Sequence, residues 1–128
     1  MNENVRKAIE DIQAAFPEAA CTSTPDGQGG AYVILDPVKP GGPYSQEDSW
    51  VGFQLTFQYP YADVYPHYVR HDLSRKDGEK LGEAFHQNQS FQDRPAVMVS
   101  RKSTRLNPST DTALLKLQKV LQWISTRP

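Results

Sequence analysis

Between Trp50 and Phe57 the chain alternates Val51, Phe53, Leu55 and Phe57 with Trp50, Gly52, Gln54 and Thr56. Successive side chains of an extended chain point to opposite faces, so this is the period of a half-buried strand. A lone strand is not stable, and the flanking residues supply partners. Ala20 to Thr24 is rich in small and β-branched residues, and Pro25-Asp26-Gly27-Gln28-Gly29-Gly30 then reads as a turn. Ala31 to Asp36 follows as a strand, with Tyr32 and Ile34 on one side and Val33 and Leu35 on the other. A loop from Pro37 to Ser49 carries the turn formers Pro40, Gly41, Gly42 and Pro43, and beyond the Trp50 strand Tyr68 to Leu73 can form a fourth. Short strands joined by turns predict an antiparallel meander of four strands. Pro60 and Pro66 keep the stretch Tyr59 to Pro66 out of the middle of a sheet, so it is expected as an extended, aromatic-packed loop.

Both ends of the chain have a different period. Val5, Ile9, Ile12 and Phe16 line one face of a helix that Asn2 or Asn4 can cap, with Glu3 near its positive end and Pro17 as its stop. Burying such side chains contributes on the order of 1.5–3 kcal/mol each before the entropy of ordering is charged. Near the other end, Asn107 is placed to cap a helix with Pro108 at its first position and Asp111 in its first turn. Leu114, Leu117, Leu121 and Ile124 form its apolar stripe, broadened by Val120 and Trp123. From Arg75 to Pro95 no period is clear; a short helix over Gly78 to Phe85 fits, weakened by Gly82, and Ala96 to Ser100 is a brief apolar run. The fold class is therefore α+β: a helix, a four-stranded antiparallel meander, a proline-rich loop and crossover, and a closing helix.

A chain of 128 residues fits one domain, residues 1–128. Its 38% hydrophobic share is low and ten prolines with eight glycines make it loop-rich, but five Phe, six Tyr and two Trp offset this by the area each buries. Fourteen basic and fifteen acidic residues leave a net charge of −1, which gives no long-range attraction to nucleic acid or to an acidic membrane. The one basic cluster, Arg101, Lys102 and Arg105, is expected as a solvated loop rather than a phosphate site. A single cysteine, Cys21, excludes an internal disulfide and a multi-cysteine zinc site. Met1 to Asn4 has no apolar signal core and no run approaches the ~20 residues that span a bilayer, so a cytoplasmic location is expected. His67 and His71 have a metal-ligand spacing only on a helix; in an extended segment four residues span about 13 Å, so neither a metal nor another cofactor is expected. Gly27-Gln28-Gly29-Gly30 lacks the lysine of a phosphate loop, and no Gly-x-Ser-x-Gly nucleophile elbow occurs.

Gln54-Leu55-Thr56-Phe57-Gln58-Tyr59-Pro60 and Asp63-Val64-Tyr65-Pro66-His67-Tyr68-Val69 resemble the strand of ubiquitin-conjugating enzymes that runs into their proline-rich loop. Leu106-Asn107-Pro108-Ser109-Thr110 is similar to the segment that opens the family's helix after the active site. With the pieces in the family's order, the chain resembles the ubiquitin-conjugating (UBC-like) fold, and it looks like the diverged bacterial members of that family. The resemblance implies a His-Pro-Asn motif about ten positions before a catalytic cysteine. Phe85-His86-Gln87-Asn88 is the local candidate: His86 would be structural and Asn88 would stabilise an oxyanion, although glutamine stands where the family has proline. A polar loop that happens to hold both residues is the other reading.

The cysteine itself is missing. Ala96-Val97-Met98-Val99-Ser100 occupies the region where the resemblance places it, and thioester chemistry needs a thiolate of near-neutral pKa. Ser100 could form only an oxyester, and no base is paired with it in the sequence; Cys21 lies far away and is expected to pack as a small hydrophobe. The resemblance then implies a catalytically inactive binding or adaptor module, with a ubiquitin-like protein or its activating or deubiquitinating enzyme as partner. The alternatives are a conjugating enzyme that uses Ser100 or Cys21 with His86 and Asn88, and a structural or regulatory protein that shares only the fold. Tyr59, Tyr61, Tyr65 and Tyr68 either pack the proline loop onto the sheet edge or form the partner surface, where tyrosine is enriched.

Overall fold

The computed structural model describes residues 1–128. Its first element, α1 (Glu3–Ala15), begins where the Asn2 side chain accepts a hydrogen bond from the Val5 N–H at 2.9 Å, and buries Val5, Ala8 and Ile12. Six strands follow: β1 (Ala20–Pro25), β2 (Ala31–Val38), β3 (Ser49–Leu55), β4 (His67–Arg70), β5 (Phe85–Phe91) and β6 (Arg94–Val99); α2 (Ala113–Ser125) closes the chain. All pairings are antiparallel, and the sheet order is β1-β2-β3-β4-β6-β5. The protein is thus an α+β fold with a helix at each end of a six-stranded sheet, not a four-stranded meander.

Alternation builds a one-sided core. Val33 and Leu35 of β2, Val51, Phe53 and Leu55 of β3, Val69 of β4, and Val97 and Val99 of β6 are all buried, and they join Val5, Ile12, Leu117 and Ile124 of the helices in one cluster of 24 residues. The helices pack against each other, and α1 against β1. The loop from Val38 to Ser49 is pinned beneath the end of α2: Tyr44 is buried and its hydroxyl donates to the Ile124 carbonyl at 2.8 Å.

Four local expectations are corrected. The third strand ends at Leu55, and Phe57 beyond it is 57% exposed. The fourth strand is His67–Arg70, so Leu73 is buried from a turn instead. No helix forms over Gly78 to Phe85, where Gly78 and Gly82 both take positive φ; the chain enters β5 there, and Ala96 to Val99 lies in its hairpin partner. The last helix starts at Ala113, because Asn107 is consumed in a local turn. Its Oδ1 accepts from the Ser109 N–H and hydroxyl, its carbonyl accepts from the Asp111 N–H, and Thr112 then caps α2 by accepting from Leu115 N–H at 3.1 Å.

One irregularity decides what the far edge of the sheet presents. Phe85 and Phe91 are six residues apart, so on a regular strand they would share a face. A bulge between His86 and Gln89 adds one residue opposite β6, with Asn88 at φ 60°. An extra residue flips everything after it. Phe85 therefore stacks on Trp123 of α2 with centroids 5.6 Å apart, while Phe91 lies over Gly52 on the opposite face. Asparagine tolerates the left-handed region that β-branched residues resist. Asn88→Gly should keep the fold and its melting temperature, whereas Asn88→Val should lose about 1–2 kcal/mol in urea unfolding. Equal stability of the two variants would show that the bulge is not held by this residue's backbone conformation.

Candidate functional site

The residues that the family resemblance singles out do not assemble into a reaction centre. His86 pairs with Met98 across the β5–β6 ladder and is exposed; Asn88 is exposed at the bulge; Ser100 follows β6, its N–H donating to the Ala84 carbonyl at 2.8 Å. No side-chain hydrogen bond joins Ser100 to His86 or Asn88. Cys21 sits on β1, at the opposite edge of the sheet from β5. Burial also pushes the Cys21 thiol above its ordinary pKa, which lowers its thiolate fraction. Neither nucleophile has a histidine within hydrogen-bond reach, so neither has a base to activate it.

What the fold does assemble is an aromatic surface on the sheet face that no helix covers. Ile34, Gly52, Tyr68 and Met98 are register partners across β2, β3, β4 and β6, Tyr32 and Trp50 each lie two residues along their strands from that row, and Phe91 reaches in from the hairpin end of β5. The Phe91 ring occupies the space above Gly52; a Cβ there would come within 2.6 Å of its Cδ2 and Cε2. Around it, Tyr68 stacks at 4.9 Å, Trp50 stacks at 6.3 Å and Tyr32 meets it edge-on at 6.1 Å. Arg94 lies over the Trp50 ring at 5.2 Å. Such offset and edge-on pairs fix the rings mutually, so the surface is organised before any partner arrives. Beside the cluster is a hollow of about 280 Å³ between Tyr32, Gln54, Tyr65, Tyr68 and Phe91. That is below the roughly 300–1,000 Å³ of small-molecule sites, and it suits a protruding side chain.

The four tyrosines of the proline loop are divided among different environments. Tyr59 is buried, and its hydroxyl accepts the Ala113 N–H at 2.8 Å, satisfying an open donor at the start of α2. Tyr61 is 75% exposed and away from the rings above. Tyr65 and Tyr68 border the hollow. Sequence reasoning missed Trp50, which is half-buried, and Phe91, which is buried at the centre of the cluster. Trp50 was visible as the outward phase of the Trp50–Phe57 alternation, whereas nothing local revealed which face Phe91 would take.

A second assembly lies at the opposite side of the proline loop. Asp63 accepts from the Ser103 N–H at 2.7 Å and its hydroxyl at 2.9 Å, and Lys116 of α2 donates to both Asp63 oxygens at 3.0 and 3.1 Å and to Ser103 Oγ at 2.7 Å. A serine beside a lysine is an arrangement some hydrolases use, but here the carboxylate holds the ammonium and takes the hydroxyl proton's hydrogen bond. The trio is a structural tie. Burial raises the Asp63 carboxyl, and the bonds from Ser103 and Lys116 outweigh it, leaving its pKa lowered. His67, fully buried against Phe53, has no hydrogen-bond partner on either ring nitrogen. Burial, with a smaller push from the Lys116 charge against the opposing pull of Asp63, lowers its pKa to about 3. Above this trio the Arg101–Leu106 segment and α2 enclose a cleft of about 420 Å³, to which Arg101, Lys102 and Arg105 contribute. The basic cluster is the exposed loop expected for it, and that loop also forms one wall of the cleft.

Comparison of the chain with protein-family models, with curated proteins and with solved structures gave no match. No group of three or more His, Cys, Asp or Glu side chains is placed to hold a metal ion, and no helix is long and apolar enough to cross a membrane.

The neutral state of His67 has a thermodynamic consequence. Its folded pKa of about 3 lies below the ordinary 6.5, so between those values the unfolded chain binds the extra proton and stability falls as pH falls. The slope reaches at most about 1.4 kcal/mol per pH unit. Asp63 acts in the same direction only near and below its ordinary 3.8. Urea unfolding of His67→Phe should therefore show little change in stability between pH 6.5 and 4.5, where the parent protein loses stability. At pH 7 the variant should be at least as stable as the parent, because two unpartnered buried nitrogens are removed. A parent-like slope in the variant would mean that another group titrates on unfolding.

Proposed function

We propose that this protein is a catalytically inactive ubiquitin-conjugating-enzyme-like module, which binds a ubiquitin-like protein or its activating or deubiquitinating enzyme through the aromatic face of its sheet. The observation that carries the binding half is the ring cluster of half-buried Tyr32, Trp50 and Tyr68 around a buried Phe91, held in place by mutual stacking on the sheet face away from the helices. Pre-stacked aromatics beside a side-chain-sized hollow, with an arginine at the margin, match the make-up of interface hot spots, where tryptophan, tyrosine and arginine dominate. The pathway half rests on the motif resemblance in Gln54–Pro60 and Asp63–Val69, and the six-stranded sheet departs from the four-stranded meander which that resemblance implies. The absence of activation at Ser100 and Cys21 favours binding over transfer.

Two measurements test the proposal. Mixing the protein with a ubiquitin-like protein and its charged activating enzyme should give no thiol-reducible adduct on a non-reducing gel; an adduct that disappears in Cys21→Ser would make the chain a conjugating enzyme. Titration of the same ubiquitin-like protein, followed by nuclear magnetic resonance, should shift the signals of Trp50, Tyr32 and Tyr68. Trp50→Ala should weaken that binding by about thirtyfold, the effect of losing one hot-spot residue of about 2 kcal/mol. Shifts confined to residues outside this face would refute the docking assignment.

A further inference from the structure

The cleft between the Arg101–Leu106 segment and α2 has a charge that neither the fold nor the proposed partner surface explains. Five cations and two carboxylates line it, an excess of three positive charges in a chain whose net charge is −1. Like charges gathered in one concavity repel one another, so the arrangement has a cost that an anionic occupant would remove. Both carboxylates are already engaged: Asp63 with Lys116 and Ser103, and Asp111 through its Oδ2, which accepts the Asn107 N–H at 2.7 Å. With Asp63 paired to Lys116, Asp111 is the one carboxylate of the lining set against the other four cations.

The other four cations are free for a ligand. Arg105 and Lys119 take part in none of the seven ion pairs of the protein. Arg101 and Lys102 are held over aromatic rings instead of carboxylates, Arg101 over Trp123 at 5.1 Å and Lys102 over Tyr65 at 5.6 Å. An arginine stacked by its face keeps its in-plane N–H donors, so Arg101 is steadied without being used up. The Asp63–Ser103–Lys116 tie fixes the segment to α2 and thereby fixes the spacing of the cations. A hollow of similar volume, about 460 Å³, near the chain end is lined by three cations, Arg75, Lys80 and Arg127, against Asp77, Glu79 and Glu83, and has no such bias.

We propose that the cleft is a binding site for the phosphate groups of a small molecule, either a free polyphosphate or the polyphosphate of a nucleotide. Its volume of about 420 Å³ lies within the range of small-molecule sites and is too small to admit a nucleic-acid duplex. Arginine and lysine together suit this class of ligand, the arginine forks by paired N–H donors and the lysines as point charges. The proposal does not rest on the partner surface proposed above, although Lys102 of the cleft touches Tyr65 at that surface's margin.

Isothermal titration with inorganic pyrophosphate and, separately, with adenosine triphosphate tests the site. At least one should bind saturably, and the Arg105→Glu/Lys119→Glu double variant should weaken that binding by about tenfold or more. Lys39→Glu/Lys80→Glu imposes the same change of net charge on residues that do not line the cleft and should leave affinity within about threefold, because exposed charges outside the site are screened by salt. If the glutamate pair does not fold, Arg105→Gln/Lys119→Gln serves in its place. Tighter binding of the nucleotide than of pyrophosphate assigns the ligand to the nucleotide class, and equal binding assigns it to free polyphosphate; both uphold the site. No saturable binding of either probe at millimolar concentration overturns the proposal, as does equal weakening by the two double variants.

Discussion

A strand can place an aromatic residue on one face of a sheet or the other, and the chain needs both from β5. Phe85 must reach down to Trp123 so that α2 is anchored over the far edge of the sheet, and Phe91 must rise over Gly52 so that the open face has a centre. The single extra residue at the His86–Gln89 bulge, with Asn88 in the left-handed region, makes both possible. Without it, Phe91 would point toward the helices, the space above Gly52 would be vacant, and Trp50, Tyr32 and Tyr68 would lose the ring against which all three rest. Closing the core and furnishing the open face are therefore consequences of one backbone irregularity on an edge strand.

The loops are organised by a different kind of interaction. Residues 56–66 and 100–112 have little regular hydrogen bonding of their own, and each is fastened to α2 by a polar side chain. Tyr59 takes the Ala113 N–H, and Asp63 takes Lys116 and Ser103 together. Desolvating a carboxylate and an ammonium is costly, and that cost is offset here because the Asp63 oxygens receive three separate donors. The same tie sets the two surfaces side by side: Lys102, on the wall of the cationic cleft, rests on Tyr65, whose other neighbours border the aromatic hollow. A ligand in the cleft and a partner on the sheet would thus share a boundary residue.

Chemistry and recognition part company in this molecule. Nucleophilic catalysis asks for a nucleophile and a base within about 3 Å of each other, and the topology sends Cys21 and His86 to opposite edge strands. The one close serine–lysine contact is quenched by a carboxylate. Recognition asks only for surfaces of stable shape and charge, and the stacked rings and tethered cations meet that need.

The sequence by itself determined the parts of this protein that depend on neighbours in the chain. The 3.6-residue spacing of Val5, Ile12, Leu117 and Ile124 and the two-residue alternation of Val51, Phe53 and Leu55 are enough to give helices at both ends and strands between them, because a side chain's face follows from its own backbone geometry. The same local reading excluded Pro60 and Pro66 from the sheet. It failed over β5, whose residues from His86 to Ser90 are all exposed on an edge strand and so have no apolar period to detect. Its hairpin turn, Gln92-Asp93, takes positive φ without the Asn-Gly pair that usually announces it. Asn107 had the right neighbours for a helix cap, yet its turn closes on itself, and the helix waits for Thr112, where Tyr59 from 54 residues away supplies an acceptor. Only the tertiary structure decided that Arg101, Lys102 and Arg105 face Lys119 across a cleft, and that Phe91 completes a cluster with Tyr32, Trp50 and Tyr68. Both depend on which strands and helices become neighbours in space, and strand pairing across long loops is set by the whole core rather than by any local run of residues.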